Sequence, residues 1–416
     1  MTKKVQPLRR NRDFLLLWQG TVVSELGSNA TTVAYPLLVL YLTGSPASAG
    51  ITGFVALLPQ LLFQLPAGAV VDRWNRRRVM IWCDVLRCLA IGSLALALAA
   101  DRLVLAHVLA VGFVEGTLTV CFRIAESAAV TTLVDPSQYA LALSRNEART
   151  RGAVVFGQPL GGLLFGLGRA IPFLFDAVSY AVSLTTLLMI RKDFRAEPAD
   201  RPGRLITELS AGISWLWRQP FLRVTTLLVA GSNLLFQALF LAVIVIARAD
   251  GGSSGAVGVM FGVAAVGGVL GSLAAPALER RLSMKTVVIG ANWAWALVVP
   301  VLLVVHDPYL IGAVYALMCF VGPVWNVVVV AYQLGVTPDR IMGRVQGAAH
   351  MIAFGAIPLG SLAGGLLLRW IGAGATVAVL SCWMLFLAVA ASVSPAIRKA
   401  PSLAELHAPE PVVVAD

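Results

Sequence analysis

The sequence predicts an all-α membrane protein with twelve transmembrane helices in two pseudo-symmetric six-helix bundles and both termini in the cytoplasm. The first observation is composition, since 58% of the 416 residues are hydrophobic and 13% are charged, with a mean hydropathy of +0.82. A soluble chain of this length does not have that composition, so most residues belong to membrane spans. The second observation is the distribution of positive charge, and the third is a repeat of the first half in the second.

Twelve apolar runs approach or exceed the roughly 20 residues that a helix needs to cross the hydrocarbon core. The tracts 147–190 and 345–393 are almost continuous, and we divide them where an arginine stands beside turn residues, at 168–172 and 369–372. The predicted spans are 14–42, 48–70, 79–100, 103–127, 147–168, 170–190, 221–247, 255–278, 284–305, 308–333, 345–368 and 371–393.

The lysines and arginines orient these spans. With the N-terminus in the cytoplasm, 26 of the 32 basic residues fall in cytoplasmic segments, four in the opposite loops and two within spans. The positive-inside rule requires this asymmetry of an even number of spans with both ends in the cytoplasm. The net charge of +11 therefore reflects topology and does not indicate a nucleic-acid partner.

The chain is expected to have four parts. These are an N-terminal six-helix bundle (1–190), a cytoplasmic linker (191–220), a C-terminal six-helix bundle (221–394) and a disordered cytoplasmic tail (395–416). Apolar residues recur at helical spacing over 205–217 in the linker, which predicts an amphipathic helix on the membrane surface. The tail is polar and contains proline, as disordered segments do.

The short polar stretch between the second and third spans resembles the signature loop of the major facilitator superfamily. The matching positions are Gly68, Asp72, Arg73, Asn75, Arg77 and Arg78. Asn75 replaces the family's second glycine and is a residue type that tolerates a left-handed backbone. The resemblance implies that this loop is a conformational gate. A degraded copy lies 207 residues further on, at 279–285, as expected for two parallel repeats.

Three further stretches, 11–14, 173–180 and 337–344, resemble the exporter branch that includes enterobactin exporters and macrolide efflux proteins. The resemblance implies a monomeric secondary transporter in the bacterial inner membrane. It would export a hydrophobic or amphipathic small molecule, such as a drug, antibiotic or siderophore-like metabolite, by proton antiport, with no cofactor besides the proton gradient. Two positions depart from the pattern: Gly112 replaces an arginine of many antiporters, and Ser28 replaces an acidic residue.

In that family spans one, four, seven and ten line a central cavity, and here they carry polar faces. The candidate cavity residues are Ser28, Asn29, Thr32, Asn233, Phe236, Gln237, Phe240, Trp325 and Asn326. Glu25 and Glu115 lie near mid-span, where a carboxyl group can take up a proton from one side and release it to the other. We expect proton coupling at Glu25 first and Glu115 second; the alternative is that each only satisfies a neighbouring donor.

Four charged residues lie near the cytoplasmic ends of two adjacent spans. Asp84 and Arg87 in span three, and Arg123 and Glu126 in span four, are pairs three residues apart. We expect them to form a four-charge network, because opposite charges offset a burial cost that neither could bear alone. Its role is either structural or that of a gate.

Other functions remain open at this stage. A proton-coupled nutrient importer, or a protein that moves lipids or senses a ligand without coupling, would share the same topology. An enzyme is not expected, and the sequence contains no phosphate-binding G-x-x-x-x-G-K-[ST] motif for ATP hydrolysis. The five cysteines lie within apolar runs and show neither metal spacing nor a disulfide framework. The expected partners are the bilayer and a small molecule.

Overall fold

A computed structural model describes residues 7–71, 73–192, 194, 205–249 and 251–399. The regular secondary structure in these ranges is helical. The described ranges contain no β-strand, so the all-α prediction is confirmed for them. The helices are α1 (Arg12–Thr43), α2 (Pro46–Val71), α3 (Arg76–Ala99), α4 (Leu105–Leu133), α5 (Tyr139–Leu167), α6 (Ile171–Met189), α7 (Leu205–Arg218), α8 (Pro220–Ala249), α9 (Ser254–Arg281), α10 (Met284–Val298), α11 (Pro308–Val336), α12 (Met342–Val393) and α13 (Pro395–Arg398).

Nine helices within the described ranges are long and apolar enough to cross a membrane, namely α2, α3, α4, α6 and α8 to α12. The helices α1 and α5 are of similar length but carry more polar residues. The longest, α12, has 52 residues, which as one straight helix would span about 78 Å, more than twice the thickness of the hydrocarbon core. It breaks at Gly372, whose φ of 77° is accessible to glycine at little cost. The break lies where the sequence divides the last two predicted spans.

The helices pack as two groups. In the first half α1 packs against α5 and α6, α2 against α4, and α3 against α4 and α6. In the second half α8 packs against α12, α9 against α11, and α10 against α11 and α12. The halves meet where α2 contacts α12 and where α5 contacts α9. A shift of 207 residues carries α2 onto 253–278, close to α9, and α5 onto 346–374, in the first part of α12. The two contacts between halves are therefore equivalents in the repeat.

Both contacts bring helix backbones together through glycine. In the α2–α12 seam, a Cβ on Gly50 would stand 2.6 Å from Cα of Gly365. In the α5–α9 seam, a Cβ on Gly258 would stand 2.5 Å from the carbonyl oxygen of Pro159 and 3.0 Å from Cα of Gly162. Such spacing excludes any larger side chain. Both seams lie near the arginine-poor end of the bundle, opposite the loop 73–78, which marks the arginine-rich end.

The helix expected in the linker is α7, which packs against α8 and α12. Leu216 is fully buried there, and a Cβ on Gly212 would lie 2.7 Å from the carbonyl carbon of Arg344. The rest of the predicted linker at 195–204 and the tail beyond 399 lie outside the described residues.

Replacing Gly365 by leucine should force the arginine-poor ends of α2 and α12 apart, because its side chain would overlap the backbone of Gly50. Spin labels on the exposed residues Arg102 and His306 report one half each at that end. In a background without the native cysteines, double electron–electron resonance should show longer distances in Gly365→Leu than in the parent protein.

The matched control is Gly374→Leu, since a Cβ at Gly374 meets no atom within 4 Å. It should leave the distance distribution as it is in the parent. Identical distributions for Gly365→Leu and the parent would show that the close approach does not hold this end together.

Candidate functional site

In the loop 73–78, Asn75 does not adopt the left-handed backbone that its residue type tolerates. Asn75 has φ −65° and is therefore not left-handed; it is the N-cap of α3, and its side chain accepts hydrogen bonds from the backbone N–H groups of Arg77 (3.0 Å) and Arg78 (3.3 Å). Asparagine is a favoured N-cap because its oxygen satisfies donors that the first helical turn leaves free. The sequence indicated only that asparagine tolerates a left-handed backbone, and the structure uses it as a helix cap instead. Asp72 lies outside the described residues.

Two arginines of this loop cap the ends of other helices. Arg76 donates to the carbonyl oxygen of Ala128 and to Thr132 Oγ1, both at 3.0 Å, near the C-terminus of α4. Arg77 donates to the carbonyls of Leu187 (3.0 Å) and Leu188 (2.9 Å), at the C-terminus of α6. Positive charge is stabilising there because the helix dipole places partial negative charge at the C-terminal end. The loop thus ties the arginine-rich ends of α3, α4 and α6 together.

The other gate candidates of the loop are less constrained. Arg73 and Arg78 are exposed. Gly68 lies in the last turns of α2, and a Cβ there would meet no atom within 4 Å.

Arg87 is buried in the first half between its ion-pair partner and two aromatic rings. Its guanidinium group bonds to Asp84, one turn earlier on α3. Its central carbon lies 4.3 Å from the ring centroid of Phe122 and 4.5 Å from that of Tyr180. Pairing and cation–π contacts together offset the cost of burying this charge.

Glu126 does not join the expected four-charge network with Arg123. It accepts a bond of 2.7 Å from Arg149 on α5, and Arg149 also donates to Glu25 on α1 with its Nε and Nη2, both at 3.1 Å. Three residues correspond to a rotation of about 60° around a helix. This rotation turns Glu126 toward α1 and α5, whereas Arg123 is exposed in a cavity. The predicted network is therefore replaced by the Glu25–Arg149–Glu126 triad.

The first cavity has a volume of about 860 Å³ and lies between the halves. Glu115 on α4 is part of its wall, and its two carboxylate oxygens accept hydrogen bonds from Tyr35 (3.0 Å) and Tyr180 (3.1 Å). Ser28 Oγ lies 2.9 Å from the Tyr180 hydroxyl. Two phenolic donors therefore hold this carboxyl group in a fixed orientation facing the cavity.

The cavity opens toward the arginine-rich end. Its lining includes Gln64, Ser127 and Thr131, exposed residues near the arginine-rich ends of α2 and α4. At the opposite end the α2–α12 and α5–α9 seams close the space between the halves. The arrangement is a pocket with one closed end and one open end.

The predicted cavity residues divide between this cavity and a second one of about 800 Å³. Ser28, Thr32, Gln237 and Phe240 line the first cavity, and Asn233, Phe236, Trp325 and Asn326 line the second. Asn29 and Glu25 line neither: the Asn29 side chain donates to the Glu25 carbonyl at 2.8 Å, and a Cβ on Gly157 would stand 2.5 Å from the Cβ of Asn29.

Sequence reasoning missed three side chains that hold the candidate carboxylates. Tyr35 and Tyr180 lie on helices other than that of Glu115, and nothing in the sequence marks them as its donors. Arg149 stands between Arg145 and Arg151, in a segment that the charge pattern places in the cytoplasm, but it is only 7% exposed. In the structure α5 already begins at Tyr139. Arg149 therefore lies almost three turns into a helix and not in a loop.

Replacing Arg149 by methionine should lower the free energy of unfolding by about 3–5 kcal/mol, the effect of removing one partner from a buried ion pair. Both Glu25 and Glu126 would lose their cationic partner. Thermal unfolding of the purified protein measures the loss as a lower midpoint.

Arg151→Met is the control, since the Arg151–Glu147 pair lies on the opposite face of α5 and its side chains are 62% and 63% exposed. Its loss should cost about 0–1 kcal/mol. Equal midpoints for the two variants would contradict the structural role of the triad.

Comparison with known proteins agrees with this architecture. The chain is 28% identical to the multidrug efflux pump Tap of Mycolicibacterium fortuitum over 413 residues, covering 92% of this chain and 96% of the pump. Among solved structures, the nucleoside transporter NupG has a TM-score of 0.74 at 12% identity, covering 94% of this chain and 100% of that one. An inward-facing bacterial homologue of the iron transporter ferroportin has a TM-score of 0.72 at 16% identity, covering 93% and 99%.

These structural likenesses show the fold, and the family follows from the sequence. The profile of the transmembrane secretion effector family matches residues 2–416. The chain is therefore a multi-pass membrane transporter of the transmembrane secretion effector family, within the major facilitator superfamily.

Proposed function

We propose that this protein exports a hydrophobic or amphipathic small molecule across the bacterial inner membrane by proton antiport. The observation that carries the proposal is the cavity of about 860 Å³ between the halves, with the Glu115 carboxyl group in its wall. A volume of this size suits a drug-sized ligand. The match to a multidrug efflux pump over 92% of the chain supports export.

The proposed topology has twelve crossings with both termini in the cytoplasm. It adds to the nine apolar helices the polar helices α1 and α5 and counts α12 as two crossings divided at Gly372. The positive-inside rule then places the arginine-rich end in the cytoplasm. The cavity in this structure accordingly opens to the cytoplasm, the side from which an exporter takes up its substrate.

Alternating access would follow from the arrangement of the seams. Opening the cavity to the outside requires the α2–α12 and α5–α9 seams to separate and the arginine-rich ends to close. Because the loop 73–78 caps helices of its own half, that half can move as a unit. The gate role of Asp72, Arg73 and Arg78 remains part of this proposal.

Glu115 is the better placed of the two coupling candidates. It faces the cavity, where both substrate and proton can reach it, and its hydrogen-bond partners are neutral hydroxyl groups. Glu25 is engaged by the Arg149 guanidinium group, which stabilises its ionised form. The structure thus favours the reverse of the order proposed from the sequence.

Glu115→Gln should abolish transport driven by a pH gradient, because an amide cannot exchange a proton. In proteoliposomes with an imposed gradient, accumulation of a fluorescent amphiphile should fall to the level of protein-free liposomes. Glu147→Gln, which removes an exposed carboxylate on α5, is the control and should transport like the parent.

The direction of coupling separates the alternatives. An antiporter moves substrate against the inward flow of protons, an importer moves it with that flow, and an uncoupled lipid transporter or sensor is indifferent to the gradient. Full gradient-driven activity in Glu115→Gln would refute the assignment of that residue.

Glu25→Gln should retain part of the gradient-driven accumulation, since its carboxylate pairs with Arg149 away from the cavity wall. The same proteoliposome assay, with protein amounts matched, measures the difference from Glu115→Gln. Complete loss in Glu25→Gln together with normal activity in Glu115→Gln would restore the order proposed from the sequence.

A further inference from the structure

The second cavity, of about 800 Å³, differs in chemistry from the first. We propose that it is a separate binding site for uncharged, flat aromatic molecules, occupied independently of the cavity that contains Glu115. The proposal rests on the proposed transport function and deepens it, because it assigns a second class of ligand to the same protein.

Aromatic side chains form a fixed frame around this cavity. The rings of Phe236 and Trp295 lie edge to face with centroids 5.1 Å apart, and Trp325 lies 6.0 Å from Trp295. Trp295 donates its indole N–H to the Met318 carbonyl at 2.9 Å, and the Tyr315 hydroxyl donates to the Phe236 carbonyl at 3.4 Å. These bonds hold the rings in position before a ligand arrives, so a flat ring can pack against them in edge-to-face or offset geometry.

The charge distribution favours an uncharged ligand. No carboxylate lines this cavity among the described residues, and its charged lining residue is Arg151, whose side chain is 62% exposed and paired with Glu147 at 2.8 Å. Amide and hydroxyl groups of Ser232, Asn233 and Asn326 supply neutral polar contacts. A cation would find no opposite charge here, whereas Glu115 supplies one in the first cavity.

Helix α8 contributes to the lining of both cavities, but no described residue lines both of them. On α8, Phe236 lines the second cavity, and Gln237 and Phe240 line the first. Gln237 points about 100° away from Phe236 around the helix, and Phe240 lies one turn further along on nearly the same face as Phe236. Because the two linings have no residue in common, a ligand in one cavity leaves the contacts of the other in place.

The second cavity also reaches the lateral surface of the protein, between α5 and α9. Its lining includes Leu273 and Val269 on α9, which are 73% and 40% exposed. The two helices touch closely at Gly162 and Gly258, nearer the arginine-poor end. An uncharged apolar molecule dissolved in the bilayer would be able to approach the site from this side, whereas a permanently charged one would not.

A larger side chain can be introduced into the second cavity at a position that has room for it. Gly322 on α11 lines the second cavity, and a Cβ added there meets no atom within 4 Å. Gly322→Leu should therefore occupy ligand space without disturbing the backbone. Gly290→Leu on α10 is the matched control, because its Cβ is equally free but lies outside both cavities.

Binding is measured at equilibrium in nanodiscs, without a pH gradient, with 7-ethoxycoumarin as the neutral aromatic probe and ethidium as the cationic probe. Energy transfer from tryptophan reports coumarin binding, and empty nanodiscs give the background. Gly322→Leu should raise the coumarin Kd about tenfold or more and leave the ethidium Kd unchanged. Glu115→Gln should weaken ethidium and leave coumarin unchanged, and saturating ethidium should not displace coumarin.

A second filling variant guards against local misfolding. Gly268→Leu enters from the neighbouring helix α9, where the nearest atoms, of Cys319 on α11, are 3.9 Å from the added Cβ, and should reproduce the pattern. Unchanged coumarin binding in both variants, or displacement of coumarin by ethidium, would overturn the proposal. Because no gradient is present, these results do not depend on whether coupled transport is found.

Discussion

Close approach of helix backbones at two glycine seams is the constraint on which the rest of this structure depends. Gly50 with Gly365, and Gly162 with Gly258, let the halves touch at one end of the bundle. The helices diverge from there toward the arginine-rich end, and the space left between them contains both cavities. The seams are equivalents in the internal repeat, so one local geometry used twice produces both the closed end and the open one.

The repeat is symmetric in backbone but not in charge. The positions 207 residues after Asp84, Arg87, Glu115 and Asp176 are Ala291, Ala294, Gly322 and Trp383. Asp176 is fully buried and accepts hydrogen bonds from Thr31 (3.2 Å) and Ser179 (3.1 Å). Burial of charge requires partners, and the described first half supplies them as ion pairs and hydroxyl groups. The second half contributes aromatic and amide surfaces instead, which is why the two cavities differ.

Much of the fold was predictable because a bilayer leaves few options: apolar runs of sufficient length must be helices. The sequence does not show which helices meet closely: Gly267 and Gly271 approach α11, and Gly360 and Gly364 approach α8. The candidate site was less accessible to sequence reasoning. Whether Glu126 faces Arg123 or Arg149 depends on a rotation of about 60°, and the donors to Glu115 come from two other helices. Such contacts between distant segments follow from packing, not from local pattern.

The capping arginines have a consequence for how the protein is made. Arg76 and Arg77 contribute to the positive charge that keeps their loop on one side of the membrane during insertion. At that stage only the sign of the charge matters. Once the helices are packed, the same residues bond to carbonyls in the last turns of α4 and α6, and Arg77 does so with two nitrogens of its planar guanidinium group. Lysine at position 77 would preserve the first function and lose most of the second, because one ammonium nitrogen would have to replace both Nε and Nη2. Membrane insertion and assembly of the first half are thus separable properties of a single pair of side chains.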